Sequence, residues 1–311
     1  MTKIFIDGSA GTTGLRIRER LAEREDLRIL SLPDNLRKDI RARAEILNAV
    51  DVAFLCLPDA AAIEAAELVT NPDTAIIDTS TAHRTAPGWT YGMAELAGQR
   101  EKIKASKRIA NPGCHASGFI VLVAPLVRAG LLSPDTALSC FSLTGYTGGG
   151  KKMIAAYEAA ERDPLFDAPR QYGLGQAHKH LPEMAKLCGL SIAPVFCPIV
   201  ADFPCGMEVT VPLFAKDLHG KREDVIALYR EIYRDNGLIR FAEAADEDGL
   251  LSAKAFAGRD DLQVTVAGND ERMILVSRFD NLGKGASGAA IQNLNLLLGV
   301  EETTGLVCGA R

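Results

Sequence analysis

No two cysteines in the 311-residue chain are spaced C-x-x-C; the seven stand apart at 56, 114, 140, 188, 197, 205 and 308. A structural zinc site with the usual ligand sets is therefore not expected. An odd cysteine count in so long a chain does not read as a disulfide scaffold either. The sequence holds no apolar run of about 18 or more uninterrupted residues, which excludes a membrane-spanning helix. Basic residues are not in excess: 35 Lys and Arg stand against 40 Asp and Glu, a net charge of −5. No broad basic surface for nucleic acid follows from that balance. Met1 runs straight into a strand-like segment, with neither a basic n-region nor an apolar h-region. That start reads as a cytoplasmic, reduced protein. The remaining composition, 47% hydrophobic and 24% charged, is ordinary for a soluble chain. Its length suffices for two domains and a large core.

What is present centres on Asn111-Pro-Gly-Cys-His-Ala-Ser-Gly118. A short apolar run at 108–110 precedes it. Residues 119–127 follow, almost wholly apolar apart from Pro125, and stop near Gly130. Pro112 and Gly113 force a sharp turn between the two. Cys114 is thereby expected at the start of a helix, where unsatisfied N–H groups and the helix dipole favour a thiolate. The same N–H groups suit an oxyanion formed when a carbonyl carbon is attacked. The competing reading is a cysteine buried as a small hydrophobe.

The first third alternates strand and helix. Strand-like residues 3–7 run into Gly8, Ser9, Ala10, Gly11, Thr12, Thr13 and Gly14, and then into helical spacing over 15–21. Strand, glycine turn and helix are the context of a dinucleotide site, because small residues admit a pyrophosphate to the backbone and the helix start favours its charge. The spacing is G-x-x-G-x-x-G rather than G-x-G-x-x-G, so a plain tight turn is the alternative. After a second strand at 27–32 come Pro33, Asp34, Arg37 and Lys38. Asp34 lies past the proline, whereas Arg37 and Lys38 suit a 2′-phosphate, which favours NADP over NAD. Strands are expected at 51–57 and 75–78, with a helix at 60–69 between them. In doubly wound sheets ligands sit beyond the carboxyl ends of strands. Pro58 and Asp59, and residues 79–84 with Ser80 and Arg84, are placed there; Arg84 is a candidate anion clamp.

The pattern then changes. A strand expected at 135–143 leads into Gly145-Tyr-Thr-Gly-Gly-Gly-Lys-Lys152, read as a mobile cationic loop suited to phosphate or carboxylate. Further strands are expected at 193–199, 207–214, 263–267 and 272–279, with helices at 223–234 and 285–298. This reads as an α+β second domain on a mixed or antiparallel sheet. His178 and His180 stand two apart and would share a face of an extended segment; Pro182 and Glu183 suit a helix start. No third ligand accompanies them at a telling spacing, so a base partner for the cysteine is preferred to a metal half-site.

Taken together, 8–14, 78–84, 91–96, 111–118, 145–152, 178–183 and 279–288 resemble the shorter form of the N-acetyl-γ-glutamyl-phosphate reductases, in the family's order and over nearly the whole chain. The N-P-G-C and H-x-H-x-x-E elements are the specific ones. Ala94 departs from the proline common in the family's Y-G-L-P-E. The resemblance implies a Rossmann-type doubly wound parallel sheet plus an α+β second domain of the semialdehyde and glyceraldehyde-phosphate dehydrogenase type. On it the chain divides into a cofactor domain at 1–117, completed by 285–311, and a catalytic and oligomerisation domain at 118–284. It further implies NADP, a small acyl phosphate substrate and a homo-oligomer, dimer or tetramer. Cys114 is then the nucleophile that displaces phosphate to leave a thioacyl enzyme, which NADPH reduces to the semialdehyde. A histidine, His180 in preference to His178, serves as acid and base, with Glu183 orienting one imidazole. Arg84, Asn111 and Lys151 are the substrate candidates. Aspartyl or aminoadipyl phosphate as substrate, and a non-catalytic NADP-binding sensor, are the other readings.

Overall fold

The computed structural model describes residues 1–309. Ala310 and Arg311, the end of the segment expected at 285–311, lie outside the described residues. The chain forms two compact units, Met1–Pro112 with Ala286–Leu306, and Gly113–Gly285 with residues 307–309.

The first unit begins β1 (Thr2–Asp7), α1 (Thr12–Leu21), β2 (Leu27–Leu30), α2 (Ile40–Leu47), β3 (Val52–Leu55), α3 (Asp59–Glu67) and β4 (Ala75–Asp78). It continues with β5 (Thr90–Tyr91), α4 (Gln99–Ala105) and β6 (Arg108–Ala110). The six strands form one sheet in the order β2-β1-β3-β4-β6-β5, and every pairing is parallel. Alternate residues of β1 serve opposite faces, as a pleated strand requires. Ile4 and Ile6 pack with Ile17 and Leu21 of α1, whereas Phe5 packs with Leu47 and Ala65 of α2 and α3. Asp39 caps α2 by accepting the Ala42 N–H at 2.8 Å. The chain leaves β1 for β2 on one side and returns to β3 on the other, so the end of β1 is the switch point where such sheets bind ligands.

The second unit opens with α5 (Cys114–Arg128), followed by β7 (Ser139–Gly145), α6 (Gly150–Tyr157), β8 (Arg170–Gln171), α7 (Leu181–Cys188) and β9 (Val195–Ala201). It ends with β10 (Met207–Phe214), α8 (Arg222–Ile232), β11 (Ile239–Phe241), β12 (Leu262–Gly268) and β13 (Arg272–Phe279). Its seven strands lie in the order β11-β12-β13-β10-β7-β9-β8. Pairings β11/β12 and β7/β9 are parallel and the rest antiparallel, a mixed sheet. Helix α5 is apolar on all sides and buried accordingly. Pro125 has no N–H for the Val121 carbonyl; the Tyr233 hydroxyl donates to that carbonyl instead, at 2.6 Å. The chain then returns to the first unit as α9 (Gly288–Leu298), preceded by a wide π turn at Gly283–Ser287. Ala290, Ile291 and Leu294 of α9 join the α1 side of the core.

Two details depart from the sequence reading. Residues 113–117, 285 and 307–309, expected with the first unit, go with the second: 114–117 form the opening turn of α5, and Val307 accepts the Asp260 N–H at 2.7 Å. The 145–152 stretch is not a loop. Gly145 ends β7, Tyr146–Gly149 make a 3-10 turn, and Lys151 and Lys152 lie in the first turn of α6. Glycine content argued against helix, but Met153 and Ile154 pack on Tyr146, Tyr157 and Val200 and hold it.

Candidate active site

Cys114 is the first residue of α5, with Gly113 as the N-cap in extended conformation. The carboxylate of Glu183, in the first turn of α7, reaches this turn. Its Oε2 accepts the Gly113 N–H at 3.2 Å, and the side chain is buried. An anion placed at two helix starts is electrostatically favoured. His180, also buried, presents Nε2 3.9 Å from Glu183 Oε1. That is too long for a hydrogen bond but close enough to stabilise a protonated imidazole. His178 lies with its ring 4.7 Å from that of His180, nearly perpendicular. The His180 backbone N–H donates to His178 Nδ1 at 3.2 Å. Neutral His178 therefore carries its proton on Nε2, and its one basic lone pair, on Nδ1, is engaged by that N–H. The pair is not the extended segment that the sequence suggested. His180 sits in a helical turn as the N-cap of α7, since Pro182 pre-sets the helix start.

His115 lies in the middle of this cluster. Its Nδ1 is 2.6 Å from Ser142 Oγ on β7, and its Nε2 is 2.6 Å from the Tyr172 hydroxyl. The rings of His178, His180 and Phe196 surround it at 5.6, 5.4 and 5.3 Å. Burial, helped by His178, pushes its pKa down to about 3, so the ring is neutral at physiological pH.

In the first unit, Gly8 takes a φ of +84°, and a Cβ there would lie 2.2 Å from the Cys56 carbonyl oxygen. A Cβ at Gly14 would meet the Gly8 carbonyl at 2.5 Å. Only glycine lets the turn fold this tightly onto α1. Gly11 is the N-cap of α1, whose first turn contains Thr12, Thr13 and no acidic residue. A cleft of about 280 Å³ opens beside the turn, lined among others by Gly8, Ser9, Ala10, Arg18, Ser31 and Arg37. Arg37 is half exposed and pairs with Asp34 at 2.7 Å. Lys38 is exposed and does not line the cleft. Asp7, at the end of β1, is paired with buried Arg43 at 3.0 Å; burial nevertheless raises its carboxyl above the usual range.

Pro58 is the N-cap of α3. Ser80 turns inward and donates its hydroxyl to Asp78 at 2.6 Å. The same carboxylate holds His83 Nδ1 at 2.7 Å, and His83 stacks on Trp89. Arg84 is pinned by backbone: its Nε donates to the Asn111 carbonyl at 3.0 Å and its NH2 to that of Thr79 at 3.2 Å. Asn111 is buried. Its Nδ2 donates to the Ala286 carbonyl at 3.0 Å, and its Oδ1 accepts from Asn293 at 3.1 Å. Asn111 and Ser80 thus brace the first unit. Lys151 stands exposed on α6 with no ion pair among the described residues.

Two family models match the chain: the semialdehyde dehydrogenase NAD binding domain over residues 30–106 and the semialdehyde dehydrogenase dimerisation domain over 114–281. The N-acetyl-gamma-glutamyl-phosphate reductase of Brucella ovis is 47% identical, across 96% of this chain and 99% of its own length. N-acetyl-gamma-glutamyl-phosphate reductase 2 of a Nostoc species is 44% identical, across 98% and 99%. The chain belongs to the N-acetyl-gamma-glutamyl-phosphate reductase family. Solved structures of aspartate semialdehyde dehydrogenases share the reductase fold. The Vibrio cholerae enzyme II superposes with a TM-score of 0.71 at 17% identity, covering 96% of this chain and 98% of its own. The Francisella tularensis protein gives 0.70 at 15%, covering 96% and 100%.

Sequence reasoning on this reductase chain missed Arg18 and Ser31, which line the cleft, and His115, Ser142 and Tyr172, which are joined beside the head of α5. His115 had one available signal, its place directly after Cys114. Tyr172 had none, because β8 and β9 bring it to the cluster through space.

Proposed function

We propose that this chain is an NADPH-dependent reductase that converts N-acetyl-γ-glutamyl phosphate to N-acetylglutamate 5-semialdehyde and phosphate, in arginine biosynthesis. The observation that carries the reading is the head of α5: a cysteine at a helix start, the Glu183 carboxylate on the N–H of the preceding Gly113, and His180 beside that carboxylate. Cys114 attacks the acyl carbon, the C–O bond to phosphate breaks, and a thioester forms on the sulfur. Covalent attachment divides one difficult displacement into two easier steps. N–H groups of the opening turn of α5 are aimed to stabilise the oxyanion that develops at the acyl oxygen. His180 takes the thiol proton; once the acyl carbon is reduced, the C–S bond breaks as the carbonyl of the semialdehyde re-forms, and His180 returns the proton to the sulfur, with Glu183 balancing its charge; the engaged Nδ1 of His178 favours His180 for that work.

The glycine turn fits NADP. A side chain at Gly8 or Gly14 would strike the backbone of Cys56 or of Gly8 and open the tight turn on which a pyrophosphate would rest, and the start of α1 carries no competing carboxylate. Gly8 to Gly14 would hold the diphosphate, Arg37 and Arg18 a 2′-phosphate. NADPH, when bound, supplies the hydride that reduces the acyl carbon. Arg84, steadied by two carbonyls, is assigned to a substrate anion, with exposed Lys151 as the second cation.

The residues at 1–112 and 286–306 form the cofactor domain, and those at 113–285 with 307–309 the catalytic domain. Phe141, Val195 and Phe214 are exposed on the sheet of the second unit, on the face opposite Cys140, Phe196 and Leu213. An apolar face of this kind suits a second copy of the chain, giving a homo-oligomer. No helix among the described residues is long and apolar enough to cross a membrane, and a cytoplasmic location is assigned.

The test is phosphate-dependent reduction of NADP by N-acetylglutamate semialdehyde, run in reverse because the acyl phosphate is labile, with aspartate semialdehyde in parallel. Turnover of the acetylated compound alone, lost in Cys114→Ser while NADP binding survives, is the expected result. Equal turnover of aspartate semialdehyde would overturn the substrate assignment, and an active Cys114→Ser protein would overturn the mechanism.

A further inference from the structure

We propose that His115 is a positioning residue of this site: held between Ser142 and Tyr172, it fixes the Tyr172 hydroxyl as a hydrogen-bond donor toward Cys114. The inference rests on Cys114 being the nucleophile.

Cys114 and His115 are consecutive residues of the first turn of α5, so whatever anchors one ring steadies the sulfur's neighbours. Both imidazole nitrogens lie 2.6 Å from a hydroxyl oxygen. A neutral imidazole has one N–H and one lone pair. Only two arrangements therefore satisfy both contacts. In one, Ser142 donates to Nδ1, and Nε2–H donates to the Tyr172 oxygen. The phenolic hydrogen is then released to point elsewhere. In the other, the directions are reversed and Tyr172 spends its hydrogen on His115.

A thiolate at Cys114 decides between them. Burial, and after it the negative charge of Cys114, raises the pKa of the Tyr172 phenol and keeps it protonated. An anion beside a hydroxyl attracts the hydrogen, which the first arrangement leaves available. His115 is therefore the Nε2–H tautomer, Ser142 is its fixed donor, and Tyr172 turns its O–H to the sulfur. No proton moves along the chain; the three residues set a direction. The same donor then faces the acyl oxygen carried on Cys114, where negative charge develops during attack. Ser142 is sealed from solvent and His115 nearly so, so water does not compete for the contact between them.

The other titratable groups packed around the ring are His178 and His180, with Glu183 behind them. Substitutions at Ser142, His115 and Tyr172 leave all three in place. The experiment is the pH dependence of Cys114 alkylation by iodoacetamide in the full-length protein, read by mass on the Cys114 peptide. Because a hydrogen bond to a charged group contributes about 1.5–3 kcal/mol, losing it should raise the midpoint by about one pH unit or more. Tyr172→Phe and His115→Leu are both expected to show that rise. His115→Gln, whose carboxamide can donate to the Tyr172 oxygen, should stay near the parent value, and a purely structural role would not predict that rescue. Should His115→Leu fail to fold, Tyr172→Phe, on a half-buried loop residue, decides alone.

An unchanged midpoint in Tyr172→Phe overturns the inference. A parent protein that retains turnover after complete alkylation of Cys114 would instead overturn the reading of Cys114 as nucleophile, and the two failures cannot be confused.

Discussion

Replacing His115 by glutamine should flatten the acid limb of the stability profile. In the folded chain the ring is 3% exposed, and burial with His178 lowers its pKa from 6.5 to about 3. Unfolded, the same histidine takes up a proton near pH 6.5. Between those two values the unfolded chain binds a proton that the folded chain refuses. Stability is therefore complete above the unfolded pKa and is lost as pH falls through this window. At pH 5 the difference is about 1.5 pH units at about 1.4 kcal/mol each, or about 2 kcal/mol, and any folded pKa below about 4 gives the same figure. That is a sizeable part of the roughly 5–15 kcal/mol that holds a typical domain. Urea unfolding followed by circular dichroism at pH 7.5 and pH 5 would measure it. All other titrating groups are common to both proteins and cancel, apart from the coupling to His178, which belongs to the same effect. The parent protein should lose about 2 kcal/mol more than His115→Gln on acidification. Equal losses would show that the folded ring protonates freely and is not held neutral by its surroundings.

Gly8→Ala should weaken NADP binding about tenfold or more. A φ of +84° with a Cβ 2.2 Å from the Cys56 carbonyl forces the turn to move, and the backbone conformation alone costs about 1–2 kcal/mol; titration calorimetry would show unchanged affinity if the turn were not the cofactor cradle. Arg37→Ala should raise the KM for NADPH by about tenfold and leave that for NADH alone, whereas equal effects on the two would remove Arg37 from the 2′-phosphate. Tyr233→Phe should cost about 1–3 kcal/mol, because the Val121 carbonyl beneath Pro125 loses its donor; a melting temperature equal to the parent's would count against that account.

The sequence by itself determined a good deal here. The apolar run after Cys114 predicts a buried helix, and the structure has α5 there with the cysteine as its first residue. Strands at 207–214 and 272–279 fall where the sequence reading put them, since short apolar runs rich in β-branched residues read as strands with little help from distant neighbours. The glycine turn after β1 was legible because no other residue type tolerates that backbone. Local signals of this kind act over a few residues and need no partner.

Tertiary structure alone decided the rest. Glycine content suggested a loop at 145–152, yet apolar contacts of the following turn make it helical. Asn111 and Ser80 looked like ligand contacts because polar residues follow strands there, but their hydrogen bonds run inward to Asn293 and Asp78. A linear sequence does not say which way a side chain turns. His115, Ser142 and Tyr172 are separated by 27 and 57 residues along the chain from His115. They meet only because β7 and β9 pair in parallel and β8 folds back against β9. Hydrogen-bond direction and the depressed pKa of a buried ring exist only once those strands are paired, because both depend on neighbours brought from far along the chain and on the exclusion of water.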